Sequence, residues 1–429
     1  GRKGGGDVRV IQTIRKAWNI PELRKKIVFT LLILLIYRIG NAIPVPYVDV
    51  GALSEYLNSM KTTVLGLYNV MSGGAFADAT VFALSIQPYI NASIIIQLLT
   101  VAIPALERMD RAAGEEGRKK IASITRYTTV GIGLIQGFAY YMLMRNQYNI
   151  LTNDSIAAAF VIIVTFVAGS AFIMWLGEQI TEFGIGNGIS IILFASIISR
   201  IPAGIGTMYS NREVLGVPGI VGILVGLLAL IVLITHVYNA ERRIPVQYAK
   251  RQVGRKMYGG QSTTLPVKVN MSGVLPIAML PATIAAFLPA PQEGSFWYGF
   301  IQAIDTKSVL YMLAYFLMII GFSYFYATIQ FNPTEIANNL KRNGGFIPGF
   351  RPGKPTADFI AKVLSRITLF GAIYLGIVAI APLVASKFIS ISGLAIGGTS
   401  VIIVVGVALD TSRSLESYML MRHHKGFLE

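Results

Sequence analysis

Forty consecutive residues, Val64 to Ile103, carry a single charge, Asp78. As one straight α-helix they would run roughly 60 Å, against a bilayer hydrocarbon core of about 30 Å. Ser72-Gly73-Gly74 and Gln87-Pro88 interrupt the run. It therefore reads as a short helix over about residues 63–71, a turn and a full span, which is a half-helix folded back beside a transmembrane one. Backbone at membrane depth that is not regular helix must be covered by protein or face a water-filled cavity, so a chain of this kind encloses something.

The rest of the sequence agrees with a membrane setting. Hydrophobic residues make up 54% and charged ones 14%, with a mean hydropathy of +0.60, which excludes an ordinary soluble domain. Windows poor in charge fall at 27–43, 79–103, 121–144, 156–176, 188–209, 217–237, 274–289, 309–329, 367–384 and 396–409. Ten spans are expected, each near the length that a tilted helix needs.

An even number of spans puts both ends on one side, and the basic residues say which. The two ends and the loops that share their side hold 29 of the 37 Lys and Arg residues, so both termini read as cytoplasmic. Most of the net charge of +16 is this orientation signal. It is no evidence for sequence-specific nucleic-acid binding. The opening Gly1-Arg2-Lys3-Gly4-Gly5-Gly6 lacks an initiator Met and is set aside, and no cleavable signal sequence is read before the first span.

Ten spans divide five and five near 210–217. An odd number in each half inverts one half relative to the other if the halves share a fold; the repeat rests on this count and not on internal sequence identity. The expected organisation is a tail over 1–26, a first half over 27–209, a second half over 210–411 and a tail over 412–429. Polar loops at 104–120, 241–270 and 331–358 are too long to be simple turns and read as a docking surface. Asn332-Pro333-Thr334-Glu335 starts a short helix that Gly344-Gly345 stops. The Pro- and Gly-rich run from Phe346 to Pro355 leaves Arg351 on a stiff exposed tip. Alternation over 244–250 and 265–269 predicts a hairpin-like projection with basic residues at its end.

No motif for nucleotide binding, hydrolysis or metalloprotease chemistry occurs, and the chain reads as a non-enzyme. Zero cysteines and only three histidines, His236, His423 and His424, leave no thiolate or histidine metal centre, and no cofactor is expected. Glu178, Asp410, Arg38 and His236 sit toward span ends, which weighs against an ion-coupled carrier. After Pro88, Gln87, Ile90, Asn91 and Ile94 fall at helical spacing on one face. Such a face serves either as polar glue between helices or as the wall of an aqueous path with an apolar constriction. The folded-back half-helix favours the path.

At this point the sequence resembles the SecY/Sec61 family of protein-conducting channels, in its bacterial branch, over nearly its whole length. The resemblance rests on Ile43-Pro44-Val45-Pro46, Ser72-Gly73-Gly74-Ala75, the run Pro88 to Leu99, and Glu116-Gly117-Arg118-Lys119-Lys120. It continues through Trp175 to Thr181, Gly184 to Ser190, Gln247-Tyr248-Ala249-Lys250, Gln261 to Pro266, Pro348 to Gly353 and Gly397-Gly398-Thr399-Ser400. Ten such motifs in order are highly specific.

The resemblance implies an all-α polytopic protein, two inverted five-helix halves around an hourglass pore, with a re-entrant plug. Its implied function is passage of unfolded secretory polypeptides across the bacterial plasma membrane and sideways release of signal or transmembrane segments into lipid. A small-solute carrier with inverted repeats is the alternative. By motif position the pore ring would comprise Ile90, Ile94, Ile189, Leu193, Ile277 and Ile403, and the plug would include Val64, Leu65, Leu67, Tyr68, Val70 and Met71. Gln97 and Thr100 are the lateral-gate candidates, and Lys250, Arg251, Arg255, Lys256 and Arg351 are the docking candidates. Implied partners are the small membrane subunits SecE and SecG, the motor ATPase SecA, the ribosome, signal-bearing precursors and lipid. One departure stands out: the seventh span, 274–289, holds Pro276 and Pro281 and is shorter than the family's.

Overall fold

A computed structural model describes residues 15, 18–48, 80–84, 87–102, 114–145, 155–199, 212–238, 241–248, 251–253, 256–258, 262–268, 316–317, 320–321, 333–388 and 404–417. In chain order the helices and strands are α1 (Pro21–Gly40), α2 (Gln87–Ala102), α3 (Gly114–Arg145), α4 (Ile156–Phe183), α5 (Gly188–Ile198), α6 (Arg212–Tyr238), β1 (Glu241–Tyr248), β2 (Arg251–Val253), β3 (Lys256–Tyr258), β4 (Ser262–Lys268), α7 (Pro333–Arg342), β5 (Gly345–Phe346) and α8 (Lys354–Phe388). A last helix, α9, covers residues 404–417. The seventh expected span, most of the eighth and the plug segment lie outside the described residues.

Helix ends follow local chemistry. Pro21 occupies the first turn of α1 with Glu22 beside it, where the missing N–H costs nothing and a carboxylate meets the positive helix end. The Ser155 hydroxyl accepts from Ala158 N at 3.2 Å and caps α4. Asn187 Oδ1 accepts from Ile189 N at 3.1 Å and starts α5. The helix α4, 28 residues, is long and apolar enough to cross a bilayer, while α5 and the Leu224–Val237 part of α6 are shorter apolar helices. Non-helical backbone at Gly216 breaks α6 just before the expected sixth span.

In the first half, α3 packs against α2 and α4, and α4 packs against α1 and α5. The chain entering α2 is not helical. Residues 81–84 form a turn, Thr80 bridges Pro44, and Val81 N donates to Ile43 O at 3.0 Å. This turn lies against Gly169 at the middle of α4, where a Cβ would overlap the Val81 carbonyl. A second close approach joins α4 to α5, since a Cβ on Gly188 would overlap the backbone of Gly177.

The expected hairpin is present, with more to it than alternation showed. Strands β1 and β4 pair antiparallel with Ile244 opposite Leu265 and Val246 opposite Thr263. The other edge of β1 pairs with β5, Gln247 opposite Phe346, so the two long polar loops share one sheet, and β2 with β3 makes a separate ribbon. Val246 is buried with Leu340 of α7, Ile347, and Ile360, Val363 and Leu364 of α8. The helix α8 has 35 residues, about 52 Å, so its first turns project beyond the hydrocarbon. Among the described residues, strands occur only in these polar loops.

The close approaches make a direct prediction. Gly188→Ala should lower the thermal unfolding temperature in detergent, at a cost of about 1–3 kcal/mol from overpacking. Gly131→Ala on α3, with open space around it, should be neutral or stabilising in the same assay.

Candidate functional site

Six elements bring buried apolar side chains to one cluster: Ile33 and Tyr37 of α1, Phe82 of the turn, Ile90 of α2, Ile173, Leu176 and Ile180 of α4, Ile191 to Leu193 and Ile197 of α5, and Val407 of α9. Ile90 is 4% exposed and Leu193 is 0% exposed, and Ile189 packs against the cluster partly buried. Apolar packing of this kind excludes water and offers no group for proton transfer or nucleophilic attack. Among the described residues no set of His, Asp or Glu is placed to hold a metal ion.

One buried hydrogen bond fastens the cluster. Tyr37 is fully buried on α1, and its hydroxyl lies 2.7 Å from Ser196 Oγ on α5. The Tyr37 ring stacks on Phe82 at 5.8 Å, Phe82 on Phe172 at 6.0 Å, and Phe172 on Trp175 at 5.8 Å. This row of rings ties α1 and the turn to α4. Beside it, Arg126 of α3 grips Glu178 of α4 through two hydrogen bonds, Nε to Oε1 at 2.9 Å and Nη2 to Oε2 at 3.1 Å.

The structure thus brings Ile90, Ile189 and Leu193 of the expected ring to one place. Ile94, Gln97 and Thr100 lie on α2 further along from Ile90, with their side chains outside the described residues. Ile277 and Ile403, and the plug residues Val64, Leu65, Leu67, Tyr68, Val70 and Met71, lie outside the described residues altogether. Val404, next after Ile403, packs against the cluster. Of the docking candidates, Arg251 and Lys256 sit on the β2–β3 ribbon, and Lys250 and Arg255 are outside the described residues. Arg351 is exposed in the turn before α8, where its carbonyl accepts from Thr356 Oγ1 at 2.6 Å and Phe350 stacks on Phe359 at 4.2 Å.

Sequence reading missed two fasteners. Tyr37 and Ser196 are ordinary residues of apolar windows, and nothing in their spacing pairs them. Arg126 and Glu178 did carry a signal, since each is a lone charge near the same end of one of two consecutive spans.

Comparison with known proteins adds to this geometry. The chain matches the SecY family over residues 80–412. It is 41% identical to the protein translocase subunit SecY of Streptomyces scabiei, over 98% of this chain and 100% of that protein, and 41% identical to the same subunit of Halalkalibacterium halodurans over 98% and 100%. Among solved structures it resembles a protein conducting channel, with a TM-score of 0.63 at 18% identity over 92% of each chain. It likewise resembles a SecY structure concerned with the plug domain, with a TM-score of 0.62 at 19% identity over 92% of each. Sec61 in a canine ribosome–channel complex gives a TM-score of 0.59 at 17% identity, again over 92% of each. At these identities the structural matches establish the fold.

The buried fastener can be tested by substitution. Tyr37→Phe should cost about 1 kcal/mol, the net worth of a buried hydrogen bond, and Tyr37→Ala about 3–5 kcal/mol through the added cavity. Thermal unfolding of the purified protein reads both, and an unchanged unfolding temperature for Tyr37→Phe would contradict a hydrogen-bonded role for the hydroxyl.

Proposed function

The chain belongs to the SecY family, and on that premise we propose that its buried apolar cluster is the closed waist of a pore for unfolded secretory polypeptides. It is the channel subunit of a protein translocase, a multi-pass membrane protein of the plasma membrane and not an enzyme. Family membership decides against the small-solute carrier. The finer reading is that hydrophobic segments leave sideways into lipid and that a partner supplies the energy.

One observation carries the assignment: Ile90 and Leu193, from helices far apart in sequence, are buried in a single apolar cluster that Val407 of α9 joins. Branched apolar side chains stop ions by dewetting, yet they can part around a polymer because their contacts carry no directed bonds. Ile94, Ile189, Ile277 and Ile403 complete the proposed ring, the segment about 63–71 the plug, and Gln97 with Thr100 the gate.

The loop module supports a docking role. The strands β1 and β5 join loops 241–270 and 331–358 in one sheet, Arg351 follows that sheet in the turn before α8, and Arg251 and Lys256 stand on the separate β2–β3 ribbon of the first loop, with Lys250 and Arg255 beside them in sequence. A motor such as SecA, or the ribosome with its phosphate surface, fits basic tips; SecE and SecG are the proposed small partners. Leu23 in the first turn of α1 and Leu415 near the end of α9 share one cluster, which puts both helix ends on one face. The excess of Lys and Arg on that side supports a cytoplasmic orientation with halves 27–209 and 210–411.

Reconstituted with SecA, ATP and a signal-bearing precursor, the protein should shield that precursor from added protease; no protection would sink the proposal. Leu193→Asn and Ile90→Asn should raise ion leak and export of precursors with weak signals, and unchanged leak would remove both residues from the waist. Arg351→Glu should lower motor-driven translocation about tenfold, as loss of an interface hot spot does, without lowering the unfolding temperature.

A further inference from the structure

The helix α9 belongs to the second half of the chain, yet one stripe of it leans on the first half. Val404 and Val407 meet the apolar cluster, and Leu415, two to three turns further on, is buried with Leu23 of α1 and Ile185 of the α4–α5 loop. Between them Thr411 faces Gly186, where a Cβ would stand 3.6 Å from Thr411 Oγ1. These positions follow helical spacing, so a single face of α9 touches the first half at the waist and at the end of the bundle.

The two ends of that stripe meet surfaces of different stiffness. At the waist Val404 and Val407 touch apolar side chains, which separate without orphaning a donor. The receiver of Leu415 is pinned by directed bonds. Thr30 Oγ1 accepts from Ile185 N at 3.2 Å and donates to Lys26 O at 2.9 Å. Gly184 N donates to Ile180 O at 2.8 Å, and Thr181 Oγ1 accepts from Gly188 N at 2.9 Å. Gly186 stands at φ +70°, a backbone state that a side chain would strain. Leu415 is 7% exposed in this socket, and Leu23 and Ile185 are 4% and 5% exposed.

We propose that the Leu23–Ile185–Leu415 cluster is a fulcrum: α9 tilts about Leu415 when the waist opens, and the socket stays closed. The proposal rests on the conducting role argued above. From Leu415 to Val404 the lever is about 16 Å, so a tilt of about 15° moves the waist end by about 4 Å. The positioning residues are Leu415 and Ile185, which act on the waist through the length of α9.

The sequence has no cysteine, so introduced pairs are the sole thiols. Ile185→Cys with Leu415→Cys, in the full translocase in vesicles, should cross-link on oxidation and still translocate precursor at no less than half the rate of its reduced form. Translocation by the reduced but not the cross-linked protein would overturn the fulcrum and leave the conducting role standing. Absence of translocation by the wild-type protein would overturn both. If that pair does not accumulate, Leu23→Cys with Leu415→Cys takes its place, and failure of either pair to cross-link in active protein counts against the proposal. Spin labels at Phe194→Cys and Val404→Cys should move apart by about 4 Å when a stalled precursor fills the channel, and labels on the socket pair should not. Equal separation at both sites would show α9 shifting sideways without tilting and overturn the fulcrum.

Discussion

Everything in the first half depends on how the non-helical segment before α2 is covered. A bilayer offers no partner to a free N–H or C=O, so such a segment survives only where protein closes over it. Here the segment is held from two sides. Val81 bonds to Ile43, Thr80 bridges Pro44, and the absence of a side chain at Gly169 lets the Val81 carbonyl approach the α4 backbone. Phe82 then stacks between Tyr37 and Phe172. With the turn fixed, α2 starts directly after it, and Ile90 in its first turn joins the buried cluster.

The same logic explains an exception in the charge pattern. On the expected count of spans the loop between α4 and α5 belongs to the side of the basic loops, yet residues 177–187 contain no Lys or Arg. Gly184 and Ile185 are buried beneath the start of α1 and the end of α9, so this loop is covered by protein. A covered loop gains nothing from basic residues and would bury their charge at a cost. Its glycines instead permit the tight passage that seats Leu415.

The polar loops are a second case in which folding joined what sequence kept apart. Alternating residues in 244–250 and 265–269 made a hairpin legible, and Pro333 with Gly344 made α7 legible. That β1 would also pair with β5, nearly a hundred residues later, was not, because β5 is two residues long and too short to carry a period. The sharing buries Val246 against α8, a helix whose apolar window covers only its later part. Its first turns are amphipathic and rely on the sheet for burial, so hydropathy alone placed the span from 367 onward and missed them.

What the sequence determined by itself was whatever a local pattern can encode: a membrane setting from composition, the apolar helices among the described residues from charge-poor windows, helix ends from Pro, Ser and Asn, and family membership from ten motifs in order. The match to SecY relatives bears out the family and the fold. Which side chains meet was decided only in three dimensions. Ile90, Leu193 and Val407 are unremarkable branched or apolar residues of separate helices, and each would suit a lipid-facing position equally well. Tyr37 and Ser196 lie 159 residues apart, and Arg126 and Glu178 lie 52 apart. The physical reason is that apolar packing has no directional code along the chain. A helix's period says which face is buried, but the neighbour that buries it depends on where turns, close-packed glycines and covered loops place the other helices.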